Sequence, residues 1–126
     1  MDPATLLGGG GDGRMAFDEQ LAERVRMILA DAPDLVERKM FGGIAFMVSG
    51  HMTCGVAGDD LMLRLGPEGV AEALRDPQAR PMDFTGRVMS SMVFIAADGL
   101  RDQLDLERWV GKARAFVATL PPKHRS

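Results

Sequence analysis

The chain has 126 residues, 46% of them hydrophobic and 26% charged, with a formal charge of −3 at neutral pH. That length suits one domain with a core of its own, and the composition excludes collagen, a coiled-coil rod and a wholly disordered chain. A single cysteine excludes an internal disulfide, which suits a reducing compartment, and ten methionines stand beside no tyrosine.

Charge is unevenly spread. Residues 15–120 hold 12 basic and 16 acidic side chains, whereas the last six residues hold Lys123 and Arg125. An acidic domain lacks the footprint of a general nucleic-acid binder, so direct nucleic-acid binding is not expected. Met1-Asp2-Pro3-Ala4-Thr5-Leu6-Leu7 has neither the basic start nor the apolar run of a signal peptide. Met40 to Gly58 is free of charge but broken by five glycines, so it reads as hairpins rather than a membrane span. A cytoplasmic protein without a membrane partner is expected.

Residues 1–14, with Gly8-Gly9-Gly10-Gly11-Asp12-Gly13, read as a flexible extension, or as the product of an upstream start codon with Met15 opening the domain. Gly8, Gly10 and Gly13 spell a dinucleotide-binding pattern, but no strand precedes them, so the match is accidental. Leu21, Val25, Ile28, Leu29 and Ala32 then recur at helical spacing. Asp18 is placed to cap this helix and Pro33 to stop it. Val36–Phe41, Ile44–Val48, Met52–Ala57 and Leu61–Leu65 read as strands separated by glycine turns, which implies antiparallel neighbours.

Gly66-Pro67-Glu68 opens a short helix through Leu74, with Pro67 suited to its first turn. Pro81–Thr85 and Met92–Ala96 are two further strands, joined by a loop containing Gly86 and Arg87. Leu106, Trp109, Val110, Ala113, Phe116, Val117 and Leu120 trace the stripe of a last helix, and Pro121-Pro122 stops it ahead of a basic tail at 121–126. The predicted class is α+β: two layers, a largely antiparallel sheet with helices on one face, in the order α-β-β-β-β-α-β-β-α.

Three segments carry a family signature: Lys39-Met40-Phe41-Gly42-Gly43-Ile44-Ala45-Phe46-Met47, Leu63-Arg64-Leu65-Gly66, and Pro81-Met82-Asp83-Phe84-Thr85-Gly86-Arg87. With their flanking helices they resemble the TfoX N-terminal domain family over residues 15–120. The resemblance implies a fold like that of secretion chaperones, commonly dimeric. The TfoX/Sxy regulators of this family act in bacterial competence beside a transcription factor. They also carry a C-terminal helical-hairpin domain, whereas this sequence ends six residues after its last helix.

Few residues suggest catalysis. Cys54 sits inside a predicted strand, and His51, three residues away in a turn, is expected on the opposite face. Two histidines and one cysteine do not form a metal site, and no cofactor is implied. The cations are more informative. Lys39 alternates with Phe41, Arg64 projects beside Met62, and Arg87 follows Phe84. One reading pairs Lys39 or Arg64 with an acid such as Asp83. The other joins Lys39, Phe41, Arg64 and Arg87 into one surface for an anion or a protein, with Gly42 and Gly43 admitting close backbone approach. Seven methionines, at 40, 47, 52, 62, 82, 89 and 92, fall in the strand region as core filling or as a contact face. The function expected is a non-catalytic, homodimeric interaction module with a regulatory protein partner. An anion-binding domain is the alternative, and an enzyme using Cys54 ranks below both.

Overall fold

The computed structural model describes residues 17–40, 42–84 and 87–121. Asp18 caps the first helix, α1 (Glu19–Ile28), by accepting from the Gln20 and Leu21 amides at 2.9 and 3.1 Å. Four strands follow: β1 (Val36–Met40), β2 (Gly43–Val48), β3 (His51–Ala57) and β4 (Asp60–Arg64). Then come α2 (Gly66–Ala73), β5 (Ala79–Phe84), β6 (Arg87–Ile95), a 3₁₀ turn (Ala97–Gly99) and α3 (Gln103–Ala118). The element order is the one the sequence predicts, with the 3₁₀ turn added.

The six strands form one antiparallel sheet in the order β1-β2-β3-β4-β6-β5. All three helices lie on one face. Leu21, Val25, Val70, Leu106, Trp109 and Val110 pack there against Phe46, Val56, Leu61, Leu63, Val93 and Ile95. The two-layer α+β architecture is thus confirmed. Removing so much branched and aromatic surface from water is the main source of stability.

Two boundaries differ from expectation. Helix α1 stops at Ile28, and Leu29 and Ala32 stay buried in the turns that follow, closed by the Ala32 amide on the Leu29 carbonyl. Strand β6 starts at Arg87, well before Met92, and pairs with β5 in two registers, Phe84–Arg87 to Met82–Met89 and Pro81–Val93 to Ala79–Ile95, with a shift between Pro81 and Met82. Pro81 is in β5, an edge strand, at the point where the β5–β6 register shifts, and edges and irregularities are where strands tolerate proline. Expectations for residues 1–16 and 122–126 lie outside the described residues.

Candidate functional site

Neighbours across an antiparallel ladder share a face, so register assigns each side chain to one side of the sheet. Lys39 pairs with Ile44, Ile44 with Val56, and Val56 with Leu61, all members of the helix-side core apart from Lys39 itself. Lys39 is therefore on the helix side of an edge strand, and it is exposed. Arg64 pairs with Met92 and alternates with Leu63, which assigns it to the opposite face. Strands β1 and β4 are three positions apart, about 14 Å at ordinary strand spacing. Lys39 and Arg64 do not converge.

The other members of the expected surface are equally dispersed. Phe41 lies outside the described residues. Arg87 begins β6 five residues beyond the Arg64–Met92 pair, and its side chain is not among those described. Pairing of Lys39 with Asp83 is excluded by topology, since β1 and β5 are opposite edges of the sheet. Arg64, at the last position of its strand, instead turns its guanidinium back to α3, 5.9 Å from the centre of the Phe116 ring, a cation–π contact on the helix side. The glycines answer to the backbone. Gly42 has φ +72° in the β1–β2 turn, and a Cβ on Gly43 would stand 2.1 Å from the Val56 carbonyl oxygen. The close approach that Gly43 permits is that of β3, not of a ligand.

Cys54 is fully buried among the helix-side core residues, and burial pushes its thiol up to about 12. A thiol held protonated in this way is a poor nucleophile. His51 departs from expectation in a different way. Phe46 pairs with Cys54 but Met47 pairs with Met52, so β3 carries an extra residue at Thr53. This bulge reverses the alternation and brings His51, the partner of Val48, to the same face as Cys54. Its Nε2 is 2.6 Å from the Pro121 carbonyl oxygen, where it holds the chain just past α3. Among the described residues no group of three or more His, Cys, Asp or Glu is placed to hold a metal ion.

The face without helices carries the more distinctive chemistry. Met62, Met82 and Met92 are buried there as a second apolar cluster, separate from the main core, with Met52, Ala57 and Phe94 packed against them. Met62 lies over Gly55, where a Cβ would meet its Cε at 2.6 Å. The methionines thus neither fill the main core nor stand bare. Basic residues border them. Arg38, paired with Ala45, is exposed on this face. Arg80 pairs with Asp60 and sits 4.7 Å from the Phe94 ring centre. Sequence reasoning passed over both arginines, although Arg80 two residues before Met82 and Arg38 two before Met40 carry the alternation that would have found them.

A family model, described as the TfoX N-terminal domain, matches residues 27–117. The chain belongs to this family. The match spans every strand and most of α3, so the TfoX N-terminal domain here comprises the whole sheet and both of its faces. No curated protein and no solved structure gives a match. Family membership supports a regulatory or competence-related module in general terms. Among the described residues, no helix of this TfoX N-terminal domain is long and apolar enough to cross a membrane.

Proposed function

We propose that this TfoX N-terminal domain is a non-catalytic regulatory module, cytoplasmic and homodimeric, that seats a protein partner on the helix-free face of its sheet. The observation that carries this reading is the second apolar cluster on the face over which α1, α2 and α3 do not pack, where Met62, Met82 and Met92 are buried and Met52, Ala57 and Phe94 remain partly exposed to meet a partner. Methionine suits a contact surface because its unbranched thioether adapts to partners of different shape. The border of Arg38 and Arg80, the latter paired with Asp60, favours a partner segment that presents an apolar anchor beside acidic residues. A link to transcription or competence rests on the family.

Anion binding by Lys39, Arg64 and Arg87 is not carried forward, because Lys39 and Arg64 stand on strands three positions apart. Adjacent residues provide the test. Arg38 and Lys39 are both exposed and point to opposite sides of β1. A photo-crosslinking side chain at position 38 should yield a heteromeric adduct in the native cell, and one at position 39 should not. Adducts from position 39 alone would overturn the assignment of the face.

A further inference from the structure

A groove of about 540 Å³ runs between α2 and α3, on the side of the molecule away from the methionine cluster. Its floor is made by Leu65, Gly69, Ala73, Trp109 and Ala115, mostly small residues that leave the space open. Its two walls differ in charge. The α2 side bears Glu72 and Asp76, with Arg75 between them, and the α3 side bears Arg108 and Lys112. Glu72, Arg108 and Lys112 are exposed, and no ion pair crosses the groove among the described residues. Arg108 reaches only Asp105 on its own helix, at 3.4 Å, and sits 4.8 Å from the Trp109 ring centre.

An acidic wall facing a basic wall is self-complementary. A two-fold axis through the groove sets the acids of one copy against the bases of the other, and repeats that contact by symmetry. We infer that the α2–α3 groove is the seam between two copies of this chain, with Glu72 of each copy opposite Arg108 and Lys112 of the other. The open floor of Leu65, Ala73, Trp109 and Ala115 then supplies apolar surface to the same seam. This inference rests on the homodimeric reading above and assigns its interface, leaving the methionine face free for a partner.

Charge reversal tests it by light scattering at micromolar concentration. Glu72→Lys and the double variant Arg108→Glu/Lys112→Glu should each weaken dimerisation by about tenfold or more, since each symmetric contact is lost twice. Asp76 is left in place because it accepts the Gln78 amide at 2.8 Å and holds the turn after α2. Mixing the two variants should restore a species of twice the 13.6 kDa chain mass, because basic α2 then meets acidic α3. Unmutated protein should also dissociate as NaCl rises from about 0.1 to 1 M, where the screening length falls from ~10 to ~3 Å. This salt series needs no variant to fold. A dimer indifferent to salt and to both reversals, or variants that stay monomeric when mixed, would overturn the seam while leaving the dimer. A monomer at every concentration would remove the dimer as well.

Discussion

A methyl group on Gly43 would stand 2.1 Å from the Val56 carbonyl oxygen and 3.1 Å from the Ala57 Cα, both backbone atoms that side-chain motion cannot clear. Gly43→Ala should therefore cost about 1–3 kcal/mol, as overpacked sites do, read as a lower urea midpoint; an unchanged midpoint would show that β2 and β3 separate freely. Cys54 predicts a pH effect. Its folded thiol is raised to about 12 by burial, against about 8.5 in an unfolded chain. The resulting stability is complete below the unfolded value and is lost as pH rises from there towards the folded one. Thermal melts of Cys54→Ala should thus fall less steeply than those of the unmutated protein between about pH 9 and 12. Glu37 behaves in the opposite sense: the Arg26 hydrogen bond lowers its carboxyl, and acid removes that contribution, which solvent screening of these partly exposed side chains keeps small. At this scale the sequence was informative only within a strand. Alternation placed Met62 and Arg64 on one face, but the Thr53 bulge inverted the position of His51, and nothing in the residue types at 51–54 announces an extra residue.

The hairpins are built from very short connections. Two residues separate β1 from β2, β2 from β3, and β3 from β4. In the middle one both residues have positive φ, Ser49 at +53° and Gly50 at +83°, which fits a type I′ turn matched to strand twist. Serine tolerates this region less well than asparagine. Ser49→Asn should therefore stabilise the protein by about 0.5 kcal/mol, seen as a modest rise in Tm; a fall would mean that the contact of the Ser49 amide with the Pro33 carbonyl, at 3.2 Å, depends on the serine side chain. Element type and order were legible because glycine turns punctuate strands and proline bounds helices. Their ends were less so. The apolar stripe continues through Leu29 and Ala32 after α1 has ended, since burial alone does not require helical backbone. Gly86 signals a turn between β5 and β6 but not its length, and so does not show that Arg87 already belongs to a strand.

The candidate site belongs to the whole molecule, which is why so little of it was visible in one dimension. Seven methionines in the strand region suggested a cluster, but its membership depends on Met62 lying beside Phe94, a β4–β6 pairing between residues 32 positions apart. The same pairing order sends β1 and β5 to opposite edges and so separates Lys39 from Asp83. The seam groove likewise needs α2 and α3 side by side, which neither helix's own pattern reveals. One further consequence follows from the strand order. Every adjacent pair except β4–β6 is a hairpin, so the sheet is a four-stranded meander and a two-stranded ribbon joined along a single line. An isolated ribbon of two strands is marginal in water, so β5 and β6 owe their order to that line and to α2, which lies over β6. The β4–β6 line is therefore the one strand pairing that needs distant residues to meet, from 28 positions for Arg64 and Met92 to 34 for Leu61 and Ile95, and it is expected to close after the hairpins on either side of it.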